Sequence, residues 1–372
     1  MRGWRDRPGG TESASDSVVS DRPRPEMPPR VTVVAASSVN PMGQQVFESG
    51  LREALAESEA DWDVRWLNVG SMRTADKTTR RLPMRLADSF GRSLLGRLGY
   101  GHADVVHRLD LRLPPAGPGR PEVLTVHDCA PWRYPDEGRI PPHARADVAH
   151  ARVVTAPSAF AAGEIAELLG RQDVAVIPNG VDTALLDVRP DLVLARRLGL
   201  PRTFVLHAGG ASQRKNLGAL AAAWRLVQTE RSDVGLALCG PRDPRRDAAF
   251  ADIDGAHLLG RLPRWDLLGL MAAAAAIVVP SRYEGFGLPV LEAMAVGAPV
   301  VAARAGALPE ACGDAGLLVE PTTQGLAGGL IRVLSDPTLA VDLTQRGRRR
   351  AAVRDWMTVA RSYLRIYQSV LG

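Results

Sequence analysis

The sequence predicts an α/β chain of two parallel-sheet domains, and three observations lead there. Its 372 residues favour two cores over one. Short apolar, β-branched runs alternate with helical stretches along most of the chain, the pattern of parallel strands covered by helices. Glycine turns stand between strand and helix in the second half, at Gly209-Gly210 and at Gly285 and Gly287.

Residues 1–29, rich in Arg, Pro, Ser, Asp and Gly, predict a disordered tail, and no apolar segment follows the early arginines to make a signal peptide. A first domain, 30–182, opens on the apolar run from Arg30, continues through a turn at Gly43 and the helical pattern 46–56, and has further strands expected over 64–69, 104–107, 122–127, 153–156 and 174–177. Ser158 suits the N-cap of a helix. Asn179-Gly180 is a turn signal leading into a linker, 183–200. A second domain, 201–350, has strands expected over 203–208, 235–239, 257–259, 277–279, 299–302 and 316–319 and a helix over 217–228.

Residues 77–97 alternate basic and apolar side chains, with Pro83 near the start of an expected amphipathic helix. Such a helix either lies on a membrane surface or packs with its arginines in water. No uncharged apolar run is long enough to span a bilayer. The formal charge of +5 suits an enzyme that handles phosphates or works near anionic lipid, and equally a generic solvated surface. Cys129, Cys239 and Cys312 are far apart with no metal-ligand spacing, which suggests buried thiols in a reducing cytoplasm.

The stretch from Val279 to Val301 carries the chemistry. An apolar run ends in the turn Glu284-Gly285-Phe286-Gly287, and a helix is expected from Pro289, with Glu292 in its first turn and Gly297 as its C-terminal cap. A glycine turn leading into a helix start approaches and holds an anion such as a phosphate. Strand, glycine turn and helix also recur in any parallel α/β protein, so spacing alone leaves both readings open.

Glu284 and Glu292 around Gly-Phe-Gly-Leu-Pro, followed by Glu-Ala-Met-Ala and Gly-Ala-Pro-Val-Val, resemble the signature of the retaining glycosyltransferases of family 4. That resemblance implies the GT-B fold, two Rossmann-like parallel-sheet domains facing a cleft, with residues 351–372 returning to the first domain as a closing helix. It implies a hexose, mannose-type favoured, moved from a nucleotide diphosphate sugar to the hydroxyl of a glycan, lipid-linked or small-molecule acceptor. Arg214 and Lys215 would balance the diphosphate, and Glu292 would bind the ribose. Glu284 and the backbone of Gly285, Phe286, Gly287 and Leu288 would hold the sugar, with His127 reaching it from the first domain. Arg261 and Leu262 would lie against the nucleobase and Gly43 on the acceptor side. The chain departs from the family in having one glycine at that acceptor loop, and in placing Arg214 beside Lys215 where many members space the two apart.

Asp61-Trp62-Asp63 and Asp252-Ile253-Asp254 fit a short metal-binding pattern of another glycosyltransferase fold. Neither copy ends an apolar strand, and cations already cover the expected phosphates, so no metal, cofactor or nucleic acid is expected. The expected location is the cytoplasm or the inner face of its membrane. A nucleotide-sugar epimerase of the same architecture and a non-enzymatic basic adaptor for membrane or nucleic acid are the competing readings.

Overall fold

The computed structural model describes residues 28–37, 43–70, 80–81 and 91–372. Residues 1–27 of the expected tail, the turn residues 38–42 and most of the expected basic helix lie outside the described residues.

The first half contains a seven-stranded parallel sheet. Its strands are β1 (Arg30–Ala36), β2 (Asp63–Gly70), β3 (Arg80–Arg81), β4 (Val105–Arg108), β5 (Glu122–Thr125), β6 (Val153–Ala156) and β7 (Val174–Val176), in the order β3-β2-β1-β4-β5-β6-β7. The second half contains a six-stranded parallel sheet. Here β8 (Thr203–Ala208), β9 (Val234–Cys239), β10 (Ala256–Gly260), β11 (Ala276–Val279), β12 (Val300–Ala303) and β13 (Leu317–Val319) run in the order β10-β9-β8-β11-β12-β13. Central strands such as β9, β11 and β12 are buried along their whole length, which is why they read as unbroken apolar runs and not as alternation. The strand order reverses between β1 and β4 and again between β8 and β11. Ligands in such sheets bind outside the carboxyl ends of the strands at these points.

The stretch read as one basic helix over 77–97 is divided. Arg80–Arg81 pair with Val69 and Gly70 as an edge strand, and only Arg92–Gly99 is helical among the described residues. Arg92 is not on a wet face: it is buried and donates to Asp147 Oδ2 at 2.8 Å. Arg108, fully buried, shares that carboxylate and also pairs with Glu122 at 2.7 Å. A buried cation needs such partners, and two carboxylates here serve two arginines.

The C-terminal helix Trp356–Leu371 crosses back to the first half. Trp356 packs over Gly50 of the helix Gly43–Glu57, where any added Cβ would strike its ring. Tyr367 Oη lies 2.7 Å from His107 Nδ1, and Tyr363 Oη lies 3.1 Å from Thr125 Oγ1. The three cysteines are free and buried. No helix among the described residues is long and apolar enough to cross a membrane.

Candidate active site

Topology makes neighbours of the two glycine turns of the second half. β8 and β11 are adjacent where the strand order reverses, so the segments leaving their carboxyl ends open into one crevice. Arg282 N donates to Arg214 O between them at 2.8 Å. Asn216, left-handed at φ 56°, ends the first turn, and its side-chain amide donates to Pro280 O at 3.0 Å and Pro321 O at 3.1 Å. Asparagine tolerates that backbone better than most residues, and here two carbonyls hold it there.

Three side chains singled out in the sequence meet in this crevice. Lys215 Nζ donates to Glu284 Oε1 at 2.6 Å, and Arg214 Nη1 donates to Glu284 Oε2 at 2.8 Å. Burial by itself would raise the Glu284 carboxyl, but Lys215 and Arg214 outweigh it and hold the group at about 2. Burial pulls the Lys215 ammonium below its ordinary value, with Glu284 opposing. Removing one partner from a buried pair of this kind costs about 3–5 kcal/mol.

The two halves of the chain touch closely at Gly285. A Cβ there would lie 2.2 Å from His127 O and 2.7 Å from Asp128 Cβ, so only glycine lets this loop rest against the segment that follows β5. Four further bonds fix the contact. Ser158 Oγ, which caps the helix Ala159–Leu169 by accepting from Ala161 N, also donates to Gly285 O at 2.7 Å. Tyr283 Oη accepts from Cys129 N at 2.9 Å. Glu310 accepts from Ala159 N at 2.8 Å and Phe160 N at 2.7 Å. The cap expected at Ser158 is therefore present, and the same hydroxyl also reaches across to the loop.

His127 is edge-on to Phe47 at 4.7 Å, and its buried Nε2 has no hydrogen-bond partner. Burial pushes the ring down to about 4 against the pull of Asp110, so it is neutral at pH 7. Gly43 starts its helix 3.7 Å from Leu288 Cδ1, measured from an added Cβ. Phe286 and Leu288 turn their side chains into the core of the second half. Arg261 is exposed just beyond β10, and Leu262 packs against that core, two strands away from β8.

Glu292 corrects the sequence reading. The helix runs Leu288–Val296, so Glu292 is its fifth residue and lies beyond the first turn. Gly287, left-handed at φ 102°, serves as the N-cap and starts the helix one residue earlier than Pro289 suggests. Glu292 therefore gains little from the free N–H groups of the helix start and instead accepts from Arg264 Nη1 at 2.8 Å. Burial raises its carboxyl, with Arg264 opposing.

Sequence reasoning missed an acidic pair from the first half. Glu137 Oε1 accepts from Arg214 Nε at 2.6 Å. Asp136 Oδ2 accepts from Gln213 N at 2.8 Å and from Arg245 Nη1 at 2.5 Å. Two carboxylates thus occupy Arg214 and the Gln213 N–H of the turn that the sequence assigns to phosphate. An acidic dipeptide on the short 3-10 helix Pro135–Glu137, 77 residues away, carries no local signal of that partner. Of the short acidic motifs, Asp63 is taken by Arg30 at 2.6 Å.

Comparison with known proteins agrees with this architecture. A family model described as Glycosyltransferase Family 4 matches residues 31–185, and one described as Glycosyl transferases group 1 matches residues 202–336. The O-antigen chain mannosyltransferase B of Escherichia coli is 34% identical over 173 residues, 44% of this chain and 45% of that protein. The MMP alpha-(1->4)-mannosyltransferase of Mycolicibacterium hassiacum is 34% identical over 207 residues, 53% of this chain and 48% of that protein. The chain thus spans about half the length of these two relatives. Among solved structures, a sucrose-phosphate synthase from Thermosynechococcus elongatus superposes with a TM-score of 0.72 at 23% identity, covering 92% of this chain and 99% of that one. Anabaena HepE in complex with UDP-glucose gives a TM-score of 0.72 at 20% identity over 91% of this chain and 99% of that one. At such identities the structures establish the fold, which is GT-B.

Proposed function

The chain belongs to glycosyltransferase family 4, and we propose that it moves a hexose, mannose-type favoured, from a nucleotide diphosphate sugar to an acceptor hydroxyl with retention at the anomeric carbon. The meeting of Arg214, Lys215 and Glu284 beside the Gly285 loop carries this reading. It sets two cations at a turn between strand and helix, beside the glycine loop that leads into the next helix. The mannosyltransferase names of two relatives support the choice of sugar.

In this reading Lys215 and Arg214 face the diphosphate, Glu284 and the backbone of residues 285–288 hold the sugar, and Glu292 takes the ribose hydroxyls. Arg261 and Leu262 lie toward the base, and Gly43 borders the acceptor. Neutral His127 accepts from or donates to a sugar hydroxyl. The acceptor oxygen attacks from the face the diphosphate leaves, the bond from the anomeric carbon to the phosphate oxygen breaks, and the departing phosphate takes the acceptor's proton. Charge growing on the leaving group is met by groups already in place. Donor binding exchanges partners at Arg214, from Glu137 to phosphate.

The test is turnover of a panel of nucleotide diphosphate sugars, with and without EDTA, followed by release of the nucleoside diphosphate. Release that depends on an added acceptor and persists in EDTA is the expected result. Conversion of the donor alone into its epimer would favour the epimerase reading. Loss of activity restored by manganese would shift the phosphate contacts to a metal.

A further inference from the structure

One buried cation in the second half is unaccounted for by the reading above. Arg246, on the short helix Pro244–Phe250 that follows β9, is 2% exposed. Its guanidinium donates to Pro241 O at 2.9 Å and to Gly209 O, both neutral carbonyls. Its Nε is buried with no hydrogen-bond partner. Among the described residues no carboxylate forms an ion pair with it, whereas the equally buried Arg108 has two. Asp243 and Asp247 act on Arg246 only without a direct bond, and burial pulls its guanidinium below the ordinary value; a buried cation with no carboxylate bonded to it is costly.

The position of that charge is informative. Gly209 begins the turn that runs to Lys215, at the carboxyl end of β8. A Cβ on Gly209 would lie 3.9 Å from Lys215 Cε and 3.4 Å from His207 Nε2, so Arg246 and Lys215 bracket the same glycine. His207, 1% exposed, donates from Nδ1 to Val278 O at 3.1 Å, and its buried Nε2 is likewise without a partner. Two buried polar side chains with unsatisfied atoms therefore converge on one turn. Burial pushes the His207 ring down to about 4, with Lys215 and Arg246 adding to that push, so at pH 7 Arg246 and Lys215 are the positive charges there.

We propose that Arg246 is the rear cation of the anion site at the Gly209–Lys215 turn, acting on the donor's diphosphate from behind the turn while Lys215 acts from the front. Arg246 is a positioning residue: it holds the Gly209 carbonyl toward itself, and so away from the anion, and adds a positive field that no directly bonded carboxylate neutralises. This rests on the glycosyltransferase reading, since that reading supplies the diphosphate.

Inorganic pyrophosphate is the probe, because it needs no knowledge of the base. Calorimetric titration of the full chain compares wild type, Arg246→Lys and Arg246→Met, and melting temperature is followed with and without pyrophosphate. Arg246→Met should weaken pyrophosphate about tenfold to a hundredfold and lose most of the rise in melting temperature that pyrophosphate gives. Arg246→Lys, which keeps the charge, should recover most of that affinity even though it cannot reproduce both carbonyl bonds. Pyrophosphate affinity within twofold of wild type in folded Arg246→Met would overturn the proposal, and so would Arg246→Lys as weak as Arg246→Met. If Arg246→Met does not fold, the comparison of wild type with Arg246→Lys decides: recovery of most of the wild-type affinity supports the proposal, and binding about tenfold weaker overturns it. Wild type that neither binds pyrophosphate nor releases a nucleoside diphosphate from any donor would instead fail the underlying reading.

Discussion

Lys215→Ala is expected to lower kcat/KM for the donor by about 10²–10³, the scale seen when one preorganised donor to developing charge is removed. Lys215 is the buried cation bonded at 2.6 Å to Glu284, and its loss acts twice. On the proposed reading the diphosphate would lose a charged partner that it has before reaction and needs more as it leaves, so KM should rise and kcat fall together. Glu284 also loses the nearer of its two cations, although Arg214 at 2.8 Å still compensates its charge. Folding should therefore survive better than activity. Steady-state kinetics with the best donor, beside a denaturation midpoint, checks this, and wild-type turnover would remove the cluster from catalysis.

Gly285→Ala is expected to lower kcat by about a hundredfold with a smaller effect on stability. The added methyl meets His127 O at 2.2 Å and Asp128 Cβ at 2.7 Å, contacts relieved only by moving the loop or the segment after β5 by about an ångström. A shift of that size in positioned groups costs on the order of 10² in rate. Overpacking of this kind typically costs about 1–3 kcal/mol of stability. A variant with unchanged kcat would show that the loop and His127 need not be held in register.

Much of the fold was legible because parallel strands buried on both faces leave continuous apolar runs. β6 and β8 fall on the residues expected, and β9 and β11 differ by one residue at their starts. The edge strand β3 was not legible, since Arg80–Arg81 is two residues long and has no apolar content. Lys215, Arg214 and Glu284 were legible as charges beside glycine turns, but their mutual bonds depend on β8 lying beside β11, which no local pattern states. Glu292 was displaced from the first turn because the left-handed cap at Gly287 overrides the usual place of proline. Asp136, Glu137 and Arg246 were not found at all. Their roles arise from contacts between distant segments, and as isolated charges they read as ordinary solvated surface.

The most direct measurement is a crystal structure of the chain with the nucleoside diphosphate of its best donor. The diphosphate should lie at the Gly209–Lys215 turn within hydrogen-bonding distance of Lys215 Nζ, with Glu137 released from Arg214. A diphosphate bound instead in the cavity lined by Arg92, Arg120, His143 and His150, with Arg214 still joined to Glu137 and Glu284, would contradict it.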